Sequence, residues 1–128
     1  MPTVGKVQMN AGTKEDPDAG YRSRFSHADE TAAPGYYSVL LKDGGIRAEL
    51  TATERTGVHR YRFPKTKEAN IIIDLNHGLE DQTKDASLTI VNDRTVEGYR
   101  RSSGWANDHT VYFRAEFSKP FSSFGTAD

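Results

Sequence analysis

Apolar and polar residues alternate with a period of two through much of the chain after Tyr36, and this pattern predicts β-strands. The first predicted strand is Tyr36–Lys42. The Asp43-Gly44-Gly45 sequence that follows is typical of a tight hairpin turn, because such turns need residues that tolerate a positive φ. The alternation continues over Ile46–Thr53 and again over Val58–Phe63. Together these segments predict an antiparallel sheet with one buried and one solvated face.

The second half of the chain predicts four more strands. Ile71–Ile73 is apolar and β-branched at every position, which favours a central strand buried on both faces. The other three are predicted at Ser87–Val91, Thr95–Arg101 and Thr110–Ser118. Short polar connections between strands are typical of an antiparallel architecture.

The first third of the chain has little periodicity. Val4–Met9 is compatible with one short strand, and Asn10–Ala33 is predicted to be a long loop, as is Leu75–Asp85 later in the chain. No segment has the pattern of a helix. With seven or eight strands, the fold class predicted is all-β, an antiparallel β-sandwich.

Composition limits the classes of function. The 128 residues suffice for one domain, and the net charge of −1 provides no electrostatic basis for binding nucleic acid or an anionic membrane. No apolar run approaches the length of a membrane helix, and the N-terminus does not resemble a signal peptide. Because the chain has no cysteine, disulfides and thiolate chemistry are excluded.

The pattern of titratable residues does not predict an active site. The four histidines have no spacing typical of metal ligands, and no serine lies in a nucleophile-elbow sequence. Most acidic residues of the strands occupy alternating positions that predict a solvated face. We therefore predict no catalytic and no metal-binding residue.

Trp105 is the only tryptophan and lies in a short polar segment between Gly104 and Ala106. If exposed, its ring could stack on the apolar face of a sugar. The alternative, which the frequent burial of tryptophan favours, is that Trp105 covers the end of the sandwich core.

A series of short sequences in a fixed order resembles the bacterial α-mannosidases of glycoside hydrolase family 92. The series runs from Ser26 to Phe121, and the resemblance extends over about Tyr21 to Gly125. Its members are Ser26-His27 with Glu30, Pro34 to Leu40, Ala48 to Thr53, Gly57 to Tyr61 with Phe63-Pro64, Asn70 to Leu75, Glu97 to Arg101, Gly104 to Ala106, Val111 to Phe113 and Phe117 to Phe121. The order carries the resemblance, since each sequence alone is common.

The resemblance implies a fold and an activity for a longer parent protein. Members of the family are secreted, periplasmic or cell-surface exo-α-mannosidases that act with inversion and need calcium. They join an N-terminal β-sandwich of the galactose-mutarotase-like supersandwich type to a catalytic (α/α)6 barrel domain, which carries the calcium ligands and the catalytic carboxylates. Residues 1–128 are therefore expected to be an incomplete segment of the sandwich domain, with no catalytic or metal residue and no activity alone.

The same resemblance implies partners. The leading hypothesis is a scaffold for a parent enzyme that removes terminal mannose, in α-1,2 linkage, from N-glycans or mannans. The expected partners are the parent's own C-terminal catalytic domain and a mannose-containing glycan, and exposed sheet edges favour self-association. His27 and Glu30 are candidates for an interdomain or carbohydrate-facing surface, and Trp105 is a candidate for contact with sugar. Two alternatives stay open: a stand-alone carbohydrate-binding module and a purely structural β domain.

Overall fold

The computed structural model describes residues 1–16 and 18–126. The strands are β1 Pro2–Val4, β2 Thr31–Ala33, β3 Tyr36–Leu41, β4 Ile46–Ala52, β5 Gly57–Arg62, β6 Ala69–Ile71, β7 Gln82–Asn92, β8 Thr95–Ser103 and β9 His109–Glu116, with one 3₁₀ turn at His27–Asp29. All strand pairs are antiparallel, which confirms the predicted all-β class. None of the helical segments in these ranges is long and apolar enough to cross a membrane.

The chain divides into two compact units, Met1–Ile73 and Asp74–Asp128. The first unit contains a two-stranded sheet, β1-β6, and a four-stranded sheet in the order β2-β3-β4-β5. The second unit contains a three-stranded sheet in the order β7-β8-β9. Neighbouring strands within the two larger sheets are also neighbours in sequence, as expected when short connections join antiparallel strands.

The four-stranded sheet follows the predicted alternation. Val39 pairs with Ala48 across β3 and β4, and Leu41 pairs with Ile46 at the hairpin end. Val39, Ile46 and Ala48 are buried, and they form the apolar core of the first unit. Four residues, Lys42 to Gly45, connect the two strands, with Gly45 at a φ of +60°. The glycine-rich turn and the buried face were therefore predicted correctly.

The prediction for Ile71–Ile73 was wrong. The strand is Ala69–Ile71, and in the described part of the chain its paired neighbour is the three-residue strand β1. Ile71 is 38% exposed, so the segment is not a central strand covered on both faces. The apolar sequence does not distinguish a buried central strand from a short peripheral one, because periodicity is uninformative when every residue is apolar.

The N-terminal third is more structured than predicted. The first strand is Pro2–Val4 rather than Val4–Met9, and the predicted loop Asn10–Ala33 includes the 3₁₀ turn and β2. Pro17 lies outside the described residues. β2 pairs with β3 through a tight turn at Pro34-Gly35, where Gly35 has a φ of +76°. These elements are too short for a periodic pattern to reveal them.

The three-stranded sheet begins earlier than predicted. β7 starts at Gln82, inside the segment predicted to be a loop, and has register shifts between Thr83 and Asp85 and between Ile90 and Asn92. A bulge interrupts the strict alternation of side chains, which explains why the polar start of this strand was missed. β9 also ends two residues before the predicted Ser118. Among the described residues of this unit, the buried hydrophobic one is Val96 of β8.

Candidate functional site

The 3₁₀ turn places two of the candidate residues, His27 and Glu30, on one side of the chain. Ser26 caps the turn because its Oγ accepts a hydrogen bond of 3.3 Å from the Ala28 amide. The Glu30 amide donates to the His27 carbonyl at 3.3 Å and closes the turn. Residues three apart in such a turn have neighbouring side chains, which brings the imidazole and the carboxylate together.

The carboxylate of Glu30 links the turn to the four-stranded sheet. His27 Nδ1 forms a hydrogen-bond contact with Glu30 Oε2, and the Tyr37 hydroxyl donates to Glu30 Oε1. Tyr37 reaches this carboxylate because it lies on β3 opposite Ala32, on the returning arm of the β2–β3 hairpin. The result is a His27–Glu30–Tyr37 cluster built on a capped turn and a sheet edge.

Hydrogen bonding fixes the charge state of the cluster. The pKa of Glu30 is lowered, first by the hydrogen bond from Tyr37 and then by that from His27. The same bond raises the pKa of Tyr37, because the phenolate would face a carboxylate. At neutral pH Glu30 is therefore an ionised acceptor, and Tyr37 is a neutral donor.

Exposure differs strongly within the cluster. The His27 side chain is 91% exposed, whereas that of Glu30 is 21% exposed. Phe25 meets the His27 ring edge-on, with ring centroids 5.6 Å apart. The exposed imidazole is thus held by a largely covered carboxylate, and its other ring nitrogen can donate or accept a hydrogen bond at the surface.

Basic side chains of the sheet hold the turn in place. Arg47 Nη1 donates to the Asp29 carbonyl at 2.9 Å, and Lys42 Nζ lies 3.5 Å from Asp29 Oδ2. Both contacts join the turn to the hairpin formed by β3 and β4. The exposed Lys42–Asp29 ion pair contributes little energy by itself, so the effect of these contacts is to orient the turn.

A second carboxylate of the first unit has the strongest electrostatic perturbation. Glu49 accepts two hydrogen bonds from Arg60, at 2.8 and 2.6 Å, and one from the Tyr36 hydroxyl at 2.9 Å. These contacts lower the pKa of Glu49 from 4.5 to about 2, with Arg60 as the largest cause. The carboxylate is fully engaged by a bidentate ion pair, which is an architectural role.

Trp105 lies in the connection between β8 and β9 and is fully exposed. Arg101 and Asp108 close this loop with two charged hydrogen bonds, of 2.8 and 2.6 Å. The Gly104 amide donates to the Ala106 carbonyl at 2.9 Å across the same loop. The interpretation that Trp105 covers the end of the core was therefore wrong, and its ring is free to stack on a ligand.

Arg100 organises a polar cluster at one end of the three-stranded sheet. Its Nε donates to the Leu75 carbonyl at 2.8 Å, and its Nη1 donates to Asp81 Oδ2 at 2.6 Å. Ser102, which is fully buried, lies between Arg100 and His109, with Oγ 3.2 Å from His109 Nε2. The hydrogen bond from Arg100 is the main cause that lowers the pKa of Asp81. This cluster fastens the segment before β7 to the sheet.

The family resemblance implies that the calcium ligands lie in the catalytic barrel domain, and it implies no metal site within this chain. No group of three or more His, Asp or Glu side chains within residues 1–16 and 18–126 converges in a way that could hold a metal ion. Glu30, Glu49 and Asp81 each have a donor of their own, so their oxygens are engaged within the fold. We derive no metal chemistry from these residues.

Sequence reasoning brought His27 and Glu30 together but missed Tyr37. The signal that could have identified Tyr37 was the Pro34-Gly35 pair, which is typical of a turn and places β3 beside β2. Trp105 belongs to the other unit and was singled out by its residue type alone. The tyrosine pair Tyr99 and Tyr112, with ring centroids 5.7 Å apart, was also missed.

Comparison with known proteins places this arrangement in a family. The glycosyl hydrolase family 92 N-terminal domain matches residues 1–128. The structure of a family GH92 alpha-mannosidase from Bacteroides thetaiotaomicron is 44% identical and superimposes with a TM-score of 0.90, covering 94% of this chain and 16% of that chain. A structure of the same enzyme in complex with mannoimidazole gives the same values. An "uncharacterized secreted glycosidase" of Arthroderma benhamiae is 27% identical over 107 residues, which is 72% of this chain and 14% of the relative.

These similarities have two direct consequences. The chain spans about one sixth of the solved alpha-mannosidase and one seventh of the fungal glycosidase. The structural likeness extends over nearly the whole chain and confirms the predicted fold class, an all-β antiparallel sandwich. The chain belongs to glycosyl hydrolase family 92, as its N-terminal domain.

Proposed function

We propose that this chain is the sandwich segment of a calcium-dependent, inverting exo-α-mannosidase and that it supplies scaffold and interdomain surface without catalytic groups. The observation that supports the proposal most is the 44% identity to an alpha-mannosidase over 94% of the chain. The chain corresponds to only 16% of that enzyme, which leaves the greater part of such a protein to a separate catalytic domain. The substrate proposed is terminal α-1,2-linked mannose of N-glycans or mannans.

The chemistry of inversion supports this division of labour. An acid must protonate the leaving oxygen while a carboxylate about 6.5–9.5 Å away activates water on the opposite face of the sugar. A general acid needs a raised pKa, whereas the pKa values of Glu30, Glu49 and Asp81 are all lowered. Calcium bound by the catalytic domain would orient sugar hydroxyls and stabilise charge. These three carboxylates are suited to holding the architecture of the chain.

The His27–Glu30–Tyr37 cluster is the proposed contact surface for the catalytic domain or its sugar. The carboxylate fixes the imidazole through Nδ1, so that an exposed Nε2 can bond to a partner group. Secretion is proposed for the parent protein, since the fungal relative is described as a secreted glycosidase.

Activity measurements on the full-length parent protein and on residues 1–128 test the proposal. We expect the parent to release mannose from α-1,2-mannobiose and to lose activity when calcium is chelated, while residues 1–128 release none under either condition. Mannose release by residues 1–128 would overturn the scaffold role. A parent protein inactive on all α-mannosides with calcium present would overturn the substrate.

His27→Ala in the full-length protein tests the surface role, with Met9→Ala as the matched control at another exposed position of the same unit. If His27 contacts the sugar, His27→Ala should raise the KM for the substrate. If His27 contacts the catalytic domain, His27→Ala should weaken the docking of the two domains, so that they separate at a lower denaturant concentration. Unchanged kinetics and unchanged interdomain stability in His27→Ala would contradict the role.

A second candidate, a stand-alone carbohydrate-binding module, is favoured by the full exposure of Trp105. Titration of residues 1–128 with mannose or α-1,2-mannobiose, followed by tryptophan fluorescence, separates the two functions. Saturable quenching of Trp105 supports the module if Trp105→Ala also loses sugar binding measured by calorimetry, and a flat response supports the scaffold.

A further inference from the structure

The three-stranded sheet carries a pair of tyrosines on its polar face. Tyr99 of β8 lies directly opposite Tyr112 of β9. Their ring centroids are 5.7 Å apart and their planes are inclined by 46°. Tyr112 is 77% exposed, which is unusual for a large aromatic side chain in the middle of a strand. An exposed ring of this kind offers an apolar surface in a polar setting.

Neighbouring contacts hold the pair in position. The Tyr99 hydroxyl donates to Asp85 Oδ2 at 2.7 Å, and this bond ties the Tyr99 ring to β7, the strand that flanks β8 on the side away from β9. Tyr99 also pairs with Ser87, so the tyrosine is flanked by both neighbouring strands. Because Tyr99 is fixed and Tyr112 leans against it, little side-chain entropy would be lost when a ligand stacks on Tyr112.

Hydrogen-bonding groups continue from the tyrosines along the same face. Two residues along each strand, Glu97 of β8 lies opposite Arg114 of β9 on the same face, and their side chains form an ion pair. Each of these side chains remains about half exposed, at 46% and 50%. Thr89 pairs with Glu97 from the β7 side. The tyrosines, Ser87, Thr89, Glu97 and Arg114 line a shallow, open depression of about 510 Å³.

We propose that this face binds a neutral pyranose unit of a glycan, with the sugar ring stacked on Tyr112 and its hydroxyls bonded to Glu97 and Arg114. A carboxylate that accepts and a guanidinium that donates suit neighbouring hydroxyl groups, which do both. Arg114 also pairs with Glu116 at 3.2 Å, so the charged groups beside the tyrosines carry no excess positive charge and an anionic sugar gains no net attraction. The site is independent of hydrolysis and therefore goes beyond the proposed function.

The competing explanation is an ordinary cross-strand aromatic pair that stabilises the sheet. Such pairs contribute to stability whether or not a ligand exists. A purely structural pair predicts that substitutions change unfolding but that sugars leave the spectrum of the folded chain unchanged. A ligand response at these residues therefore distinguishes the two.

The test is a titration of ¹⁵N-labelled residues 1–128 with α-1,2-mannobiose, followed by ¹H–¹⁵N correlation spectra. We expect saturable shifts at the amides of Gly98, Tyr99 and Tyr112, with millimolar affinity. Tyr112→Ala should weaken binding by about tenfold or more, because it removes the stacking surface. Tyr112→Leu keeps an apolar side chain but lacks the flat ring, and it should behave like Tyr112→Ala.

Three controls decide the outcome. Trp105→Ala should bind the disaccharide as tightly as the unsubstituted chain does. Loss of binding in this variant would instead assign the sugar to the β8–β9 loop. A uronic-acid disaccharide should shift nothing at these amides, and equal binding of that anion would refute the charge argument. Absence of shifts with α-1,2-mannobiose, or shifts in residues 1–128 that the full-length protein does not show, would overturn the site. None of these results bears on whether the full-length protein hydrolyses α-mannosides.

Discussion

Ile46 offers the sharpest test of how the first unit is stabilised. It begins β4, pairs with Leu41 across the hairpin and is only 1% exposed. The connecting turn closes over it, because a Cβ at Gly44 would lie 2.9 Å from Ile46 Cδ1. The other buried hydrophobic residues described in this unit are Val39 and Ala48, both smaller. Ile46→Ala should therefore empty most of the core at the hairpin end.

The expected loss can be worked out from the atoms removed. Ile46→Ala deletes three carbons, which at about 0.8 kcal/mol for each buried group amounts to roughly 2.4 kcal/mol. The cavity left behind adds to this loss, so the total should be about 2.4–5 kcal/mol, whereas Ile46→Val should cost about 0.5–1.5 kcal/mol. Typical stabilities correspond to about 4–11 kcal/mol for a unit of 73 residues. A single substitution thus removes a large fraction of the stability of this unit.

Urea unfolding followed by far-UV circular dichroism measures this loss. Fluorescence is unsuitable, because Trp105 belongs to the other unit and is already fully exposed. Met9→Ala, at a position 52% exposed in the same unit, is the matched control and should change the free energy of unfolding by less than about 0.5 kcal/mol. If Ile46→Ala shifts the unfolding free energy no more than Met9→Ala does, the hairpin core is not what stabilises the unit.

Three further predictions concern charge and close packing. The pKa of Glu49 is about 2 in the folded chain against an ordinary 4.5, so its contribution to stability is complete above pH 4.5 and is lost as the pH falls toward 2. The melting temperature of Glu49→Gln should therefore depend less on pH across that interval. Tyr37→Phe removes the hydrogen bond that is the main cause of the lowered pKa of Glu30. A carboxyl ¹³C titration of the variant should show the pKa of Glu30 returning toward its ordinary value, and an unchanged pKa would contradict the hydrogen bond. Gly98→Ala should destabilise the second unit by about 1–3 kcal/mol, because the new Cβ would overlap a backbone carbonyl oxygen of β7, which cannot move aside. Gly125→Ala, where nothing lies within 4 Å, should have no comparable effect in the same thermal unfolding assay.

The strands that could be predicted from the sequence are those with one buried face. Ile46–Ala52 was recognised almost to its ends, because burial of Ile46 and Ala48 imposes a period of two. The start of β7 could not be recognised, since the shift between Thr83 and Asp85 breaks that period. The Ile71–Ile73 segment failed for a different reason, because a run of apolar residues carries no information on how many neighbours the strand has.

Prediction of the candidate site depended on distance along the chain. His27 and Glu30 are three residues apart, so their proximity follows from local geometry. Tyr37 joins them only through the β2–β3 pairing, which no periodic pattern announces. The pairing of Tyr99 with Tyr112 likewise requires the register between β8 and β9. Registers are set by turns and tertiary contacts, which explains why residue type alone did not reveal this pair.

The two faces of the three-stranded sheet point to two different kinds of contact. Val111 pairs with Arg100 and Leu88 pairs with Gly98, so all four lie on the face opposite Tyr99 and Tyr112. Val111 is 58% exposed and Leu88 is 36% exposed, and apolar side chains on one sheet face favour contact with another protein surface. The tyrosine face instead combines aromatic rings with paired charges, a composition that favours a hydroxyl-rich ligand over a hydrophobic partner. Contact with another protein surface and glycan binding can therefore coexist in this unit, because they would use opposite faces of the same sheet.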